Sequence, residues 1–417
     1  MRTETIRFLD YWVGVPACAL LTLLRVLIRV APLESKPASR PHRIVFLKFI
    51  EQGATVLAQD AIRRATERVG RDNIFFCVFE SNRAILDVLG TVPAGNIITV
   101  RDRTFATFVV DFLMALRRLR DVGVDTVIDM EFFSRASAIF GYLSGATTRV
   151  GLHRFTGELP YRGDLMTHRV QYNPHLHISM QYSVLVESAF LETLDEPLLK
   201  VPAMVMGDGT PSLSPVFAPA DAELARARQL AGIGSAGEPL ILLNPNASDL
   251  LPLRKWDGSR FIALAQLILA RYPTARLALT GATSERASAD DLCRAIGSPR
   301  AVSVAGQTSL RELLALYSVA SVMVTNDSGP AHFASLTPMH TVVLFGPETP
   351  LLFRSLSPHT TVIWKALACS PCVSVFNHRL SPCRNNVCMQ TITVDEVFEA
   401  VQRALALRGV HELIREV

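Results

Sequence analysis

The sequence predicts an α/β protein: two Rossmann-like, doubly wound halves behind one apolar helix. Three observations lead there. Short apolar runs alternate with helical stretches on both sides of residue 202, the βα rhythm of parallel sheets. Residues 202–220 are rich in Pro, Gly and Ser and read as a linker between the halves. Residues 5–30 are the most hydrophobic stretch and precede the first such run. At 417 residues the chain has room for two cores. Apolar residues make up 49% and charged residues 19%, a globular composition rather than a disordered one. A net charge of +4 gives no ground to expect nucleic acid as a partner. The predicted divisions are residues 1–33, 42–201 and 221–409.

In the first division the uncharged part covers 11–24, short for a spanning helix. Arg7, Asp10, Gly14, Cys18, Thr22, Arg25 and Arg29 recur every three or four positions. They form one narrow stripe, with apolar side chains around the rest. Pro16 predicts a kink. Tyr11 and Trp12 suit a membrane interface. Arg25, Arg29, Lys36, Arg40 and Arg43 favour the cytoplasmic side for the remainder of the chain. The expectation is a helix lying in one membrane leaflet. The competing reading is a helix packed on the protein's own surface. Residues 32–41 read as a linker.

The second division opens with a strand over 43–49, carrying Lys48 at its end, then Gly53 and a helix over 55–69. Glu51 is the nearest carboxylate in that turn. Strands come next over 73–79, 96–100, 125–130 and 148–152, with helices over 83–89 and 105–120. The strand at 125–130 runs into Glu131 and Arg135. A carboxylate and an arginine just past a strand's C-terminal end lie where open α/β sheets bind ligands. Their mutual pairing at a helix start is the competing reading. From His153 to His177 the chain is polar and irregular. It carries His153, His168, His175 and His177 with Arg154, Arg162, Arg169, Tyr161 and Tyr172, which suits a polar, anionic acceptor. A helix over 178–191 closes the division.

The third division starts with a helix over 221–231 and a strand over 240–243 that ends in Asn244-Pro245-Asn246-Ala247. Arg254-Lys255-Trp256 precede a helix over 259–272. A strand over 276–279 leads to Gly281 and Glu285, and a strand over 301–305 to a helix ending near Tyr317. The most informative stretch is 325–350, TNDSGPAHFASLTPMHTVVLFGPETP. An apolar run ends in Asp327-Ser328-Gly329-Pro330, a short helix contains His332, and a second apolar run over 341–345 ends in Gly346-Pro347. Asp327 or Ser328 can cap that helix, and Pro330 suits its first turn. Gly329 lets a ligand approach the backbone, where unpaired N–H groups meet an anion. The last helix covers 393–407.

D-S-G-P-A-H, an apolar helix, Pro, then L-F-G-P-x-x-P resembles the nucleotide-sugar signature of glycosyltransferase family 9, the ADP-heptose:lipopolysaccharide heptosyltransferases. More loosely, the resemblance extends from about residue 43 to the C-terminal helix. It implies the GT-B fold, two Rossmann-like domains facing a cleft. It also implies inverting, metal-independent transfer from a nucleotide diphosphate donor, an ADP-sugar, to a cell-envelope glycan or lipid. That places the chain at the cytoplasmic face of the inner membrane. Donor contacts carried over are Asp327, Ser328, Gly329, Pro330 and His332, with Lys255, Asn246 and the ribose-binding Glu285. Lys48, Gly53 and Arg135 fall on the acceptor side. The family's catalytic Asp comes directly after the glycine of the first turn, and here that position is Ala54. Glu51 is the substitute base, and Glu131 the second choice.

Cys369, Cys372, Cys383 and Cys388 have one C-x2-C pair and could hold a structural zinc. Free or redox-active thiols are the other reading. No cofactor is needed for the transfer itself. The alternative function is a non-catalytic sugar-nucleotide-binding or scaffold protein at the membrane, with loss of the Asp at Ala54 in its favour. A GT-B epimerase or phosphorylase ranks third.

Overall fold

The computed structural model describes residues 3–30, 40–153, 161–192, 198–202, 215–234, 238–247, 251–377 and 379–409. The side chains of Arg7 and Arg29, the linker at 32–39, Arg154 and residues 203–214 lie outside that description. The chain divides into two units, 1–211 and 212–417.

The first unit begins with α1 (Thr3–Trp12) and α2 (Gly14–Val30). Its sheet contains β1 (Ile44–Leu47), β2 (Ile74–Phe79), β3 (Ile97–Val100), β4 (Thr126–Asp129), β5 (Thr148–His153) and β6 (His168–Gln171), all parallel, in the order β3-β2-β1-β4-β5-β6. Between them run α3 (Gln52–Leu57), α4 (Gln59–Val69), α5 (Arg83–Leu89), α6 (Phe105–Asp121) and α7 (Arg135–Leu143), with α8 (Ile178–Ser188) after β6. The central strands are buried end to end, as a sheet covered on both faces requires. Right-handed crossovers place α4 and α5 on one face and α6 and α7 on the other.

Two expectations change here. The helix expected over 55–69 starts earlier, at Gln52, and is interrupted at Ala58. The polar stretch after His153 contains a sixth strand. In β6, His168 and Val170 face inward while Arg169 and Gln171 do not. The alternation is masked in the sequence because a histidine takes an apolar slot. Its ring nitrogens contact Thr167 Oγ1 and the Leu191 carbonyl, each at 2.9 Å, which is how a buried imidazole is tolerated.

The second unit holds α9 (Asp221–Leu230), β7 (Leu240–Asn244), α10 (Gly258–Arg271), β8 (Arg276–Leu279), α11 (Arg286–Ile296), β9 (Ala301–Ser303) and α12 (Leu310–Val319). Next come β10 (Val322–Asn326), α13 (Gly329–Ala334), β11 (His340–Phe345), α14 (Pro350–Phe353), β12 (Thr360–Trp364), α15 (Val387–Gln390) and α16 (Val394–Leu407). Its parallel sheet runs β12-β11-β10-β7-β8-β9. The edge strand β12 has no counterpart among the elements expected from the sequence. Ser309 caps α12 in a capping box with Glu312. The core gathers β7, β8, β10 and β11 with Trp256, Phe261 and the apolar face of α16.

In each sheet the order reverses once, between β1 and β4 and between β7 and β10. Loops leaving the C-terminal ends of such a strand pair splay apart and leave a crevice for a ligand.

Candidate functional site

In the second unit the crevice loops are 244–247 after β7 and 326–329 after β10. Asn326 ties them together. Its Oδ1 accepts the Trp256 N–H at 3.1 Å, and its Nδ2 donates to the carbonyls of Pro245 (3.0 Å) and Asn246 (3.1 Å). The Asn246 amide donates to the Thr280 carbonyl at 3.2 Å. A Cβ on Gly281 would stand 2.7 Å from Asn246 Nδ2 and 3.1 Å from Glu285 Oε2, so these three residues are packed together. Glu285 Oε2 also accepts the Ala282 N–H at 2.7 Å, closing its own turn.

Asp327, in the loop after β10, is buried, its N–H donated to the Leu344 carbonyl. Its carboxylate lies 3.5 Å from Arg254 Nε, and Arg254 Nη1 donates to its carbonyl at 3.1 Å. Arg254 Nη2 also donates to Glu348 Oε2. Arg379 Nε stands 3.5 Å from the other Glu348 oxygen. Burial pushes Glu348 up to about 7 against the pull of Arg254. Burial raises Asp327 too, again opposed by Arg254. Asp327 Oδ2, Glu348 Oε1 and Arg254 Nε make no hydrogen bond among the described residues. They are held instead by ion pairs: Asp327 Oδ2 with Arg254 Nε, and Glu348 Oε1 with Arg379 Nε.

The expected side-chain cap of the 329–334 helix is not made. Asp327 is committed to Arg254, and Ser328 Oγ donates to the Asn326 carbonyl at 3.1 Å. Gly329 and Pro330 form its first turn and are half-buried, as is His332. Lys255 is exposed rather than turned to Asp327; with Asn246, Ser288 and Met389 it lines a cavity of about 550 Å³. Arg254 is therefore the cation of the Arg-Lys-Trp element that meets the crevice. The signal for it was the buried Trp256, whose backbone is pinned by Asn326. Glu348 was missed because Pro347 and Pro350 make its segment read as a plain turn.

In the first unit the crevice loops leave β1 and β4. Lys48 Nζ is buried, 2.9 Å from Glu131 Oε2 and 3.2 Å from Glu51 Oε2. Glu131 Oε1 accepts the backbone N–H groups of Phe49 (2.6 Å) and Ile50 (3.2 Å). Glu131 thus clamps the β1 loop, and its oxygens are taken up by that task. Glu51 has a φ of 70° and Phe133 a φ of 54°. Left-handed backbone at non-glycine residues persists only where surroundings enforce it, and it collects at working sites. Gly53 is buried in the first turn of α3. The Tyr182 hydroxyl, also buried here, makes no hydrogen bond among the described residues, and burial pushes its pKa up to about 12. Burial lowers His153, at the end of β5, to about 4, so its ring is neutral near pH 7.

Arg135 does not pair with Glu131. Its Nη1 meets Asp10 Oδ2 at 2.8 Å, its Nε donates to the Tyr161 carbonyl at 2.7 Å, and Asp10 Oδ1 accepts the N–H groups of Arg135 and Ala136. The stripe on α1–α2 is a docking face. Cys18 is buried against Ala138, Leu165 and Met166, Thr22 Oγ1 accepts the Asp164 N–H at 2.9 Å, and Arg25 Nη1 lies 3.3 Å from Asp164 Oδ2. The apolar side chains Phe8, Trp12, Val13, Leu20, Leu23 and Leu27 point away, each more than half exposed. The span Phe8–Ile28 is long and apolar enough to cross a membrane by length and composition.

The cysteines are free thiols. Ser381 Oγ donates to Cys372 Sγ and Cys383 Sγ to the Asn385 carbonyl, at 3.3 and 3.2 Å, while Cys369 is exposed and Cys388 buried. Among the described residues no group of three or more His, Cys, Asp or Glu side chains is placed to hold a metal ion.

The model of glycosyltransferase family 9 (heptosyltransferase) matches residues 113–379. Lipooligosaccharide heptosyltransferase 2 of Campylobacter jejuni is 25% identical over 177 residues, 40% of this chain and 52% of that protein. The chain thus spans about half the length of the curated relative it matches. The structure of an Escherichia coli ADP-heptose LPS heptosyltransferase II superposes with a TM-score of 0.66 at 19% identity, covering 88% of this chain and 99% of that one. A family 9 glycosyl transferase from Veillonella parvula gives a TM-score of 0.67 at 14% identity, covering 89% and 100%. The two sheets therefore have the fold of those structures.

Proposed function

Since the chain belongs to glycosyltransferase family 9, we propose that it transfers a heptose or related sugar from an ADP-linked donor to a lipopolysaccharide-type acceptor, with inversion. The observation that carries this is the second unit's strand-order reversal: Asn326 ties the loops after β7 and β10, and beside them the buried carboxyls of Asp327 and Glu348 hold the half-buried Arg254. Arg254 and the N–H groups of Ser328 and Gly329 meet the diphosphate, Asp327 holds the loop through Arg254, His332 meets the sugar and Glu285 the ribose. A guanidinium fixed by two carboxylates stabilises the charge growing on the leaving diphosphate without reorganising, a role that does not call for a divalent ion. In the first unit Glu51 takes the acceptor's proton, held in place by Lys48, while Glu131 positions the loop. The apolar face of α1–α2 rests in the cytoplasmic leaflet of the inner membrane, where a lipid-linked acceptor is met.

The test is release of ADP from ADP-heptose by the purified full chain, with and without heptose-acceptor lipopolysaccharide, in buffer containing a chelator. Acceptor-dependent release supports the reading. Tight nucleotide binding without release under any acceptor favours the sugar-nucleotide-binding alternative, which Ala54 in the position of the family Asp recommends.

A further inference from the structure

On α6 the side chains of Phe105, Val110, Leu113 and Met114 are each more than half exposed, and Val109 is 37% exposed. Val109, Val110, Leu113 and Met114 form two adjacent pairs one turn apart on the side away from Ala115, Leu116 and Leu119, which face the sheet, and Phe105 stands at the helix start one turn before them. A row of this kind on a protein surface marks a place where something apolar binds.

We propose that this row is a second membrane contact, one surface with the outward face of α1–α2. The proposal rests on the membrane role proposed for α1–α2. Two features choose lipid over a protein partner. The first is continuity. α6 and α7 lie on the same face of the sheet, and α7 touches both α6 and α2. The second is charge. Segment 101–121 has five arginines against three aspartates, and the side chains of Arg103 and Arg117 are 81% and 85% exposed at the two ends of the row, each in a loose surface pair, with Glu80 at 3.7 Å and Asp121 at 3.6 Å, that a headgroup phosphate can replace. Apolar residues between basic side chains match acyl chains beneath anionic headgroups. A groove of about 410 Å³ between α6 and α7 repeats this pattern: Leu113, Leu116 and Leu143 line it with Arg117, Arg120 and Asp121. The aliphatic stem of an arginine can lie along the apolar wall while its head reaches phosphate.

Binding of the full chain to phosphatidylethanolamine–phosphatidylglycerol vesicles tests this. The paired substitution Leu113→Asn with Met114→Asn changes exposed positions only and should leave the melting temperature unchanged. We expect it to weaken vesicle binding by about tenfold or more, the effect of withholding two large apolar side chains from lipid. Unchanged binding overturns the proposal. So does unchanged binding accompanied by conversion of a dimer to a monomer, which would assign the row to a second copy of the chain. Quenching of Trp12 by brominated-lipid vesicles reports α1 separately. Quenching that persists when the α6 pair has no effect sinks the α6 contact and spares the anchor. No quenching in the native chain, with Trp12→Phe as control, sinks the anchor and this proposal with it.

Discussion

At Lys48 a buried ammonium faces two carboxylates that do different work. Glu131 is bonded to Lys48 and to two backbone N–H groups, whereas Glu51 meets Lys48 from a partly exposed position at the loop surface. Glu51→Gln should lower turnover by about two to four orders of magnitude with melting near that of the native chain. Glu131→Gln should cost roughly 2–5 kcal/mol of stability, because it breaks a buried pair and leaves Lys48 poorly matched. Thermal melting beside single-turnover rates separates them; a Glu51→Gln enzyme of native rate removes it as the base. Glu348 offers a pH test. Burial raises its carboxyl from 4.5 to about 7, so in that window the folded, nucleotide-free protein keeps a proton that the unfolded chain has released. Stability therefore falls as pH rises through the window, by on the order of 3 kcal/mol, and Glu348→Gln should flatten the slope. Melting curves at stepped pH on both proteins decide it. An unchanged slope in the variant assigns the titration elsewhere.

Among the elements, α1–α2 shows what a polar stripe means only once its partner is known. Asp10 caps α7 and pairs with Arg135, so Asp10→Ala should destabilise the first unit by about 1–3 kcal/mol, measured by melting in detergent. No change would mean that the helix is not docked in solution. The strands buried on both faces and most helices were legible from period and punctuation, because such a strand has few ways to be spelled, whereas the half-buried edge strand β12 was not. β6 was not, since His168 occupies an inward position. The turn after β10 is legible from its residues, but the sequence names Lys255 alone of the Arg-Lys pair, whereas Arg254 is the one that meets Asp327. Which of two adjacent basic residues turns inward depends on Asn326 gripping the Trp256 N–H, a contact across 70 residues. Neither the acceptor-side reading of Arg135 nor the competing pair with Glu131 points to Asp10, 125 residues earlier, as the carboxylate that meets it.

For the molecule as a whole, each unit has its own sheet, core and strand-order reversal. Residues named for the donor lie in the second unit. Residues 212–417 produced alone should therefore melt cooperatively and bind ADP within about tenfold of the full chain, while transferring nothing. Calorimetry on the two proteins makes the comparison; loss of ADP binding by the shorter one would show that the first unit completes the nucleotide site.

The docking of α2 on the first unit also sets an order of events during synthesis. Arg25 finds its partner at Asp164, 139 residues further on. At ribosomal speeds of about 5–20 residues per second, the helix waits roughly ten seconds for that partner to exist. Throughout that interval its apolar side is complete and its charged side has no protein to pair with. Under the membrane contact proposed for this helix, lipid would be the surface met first, and the fold would arrive second.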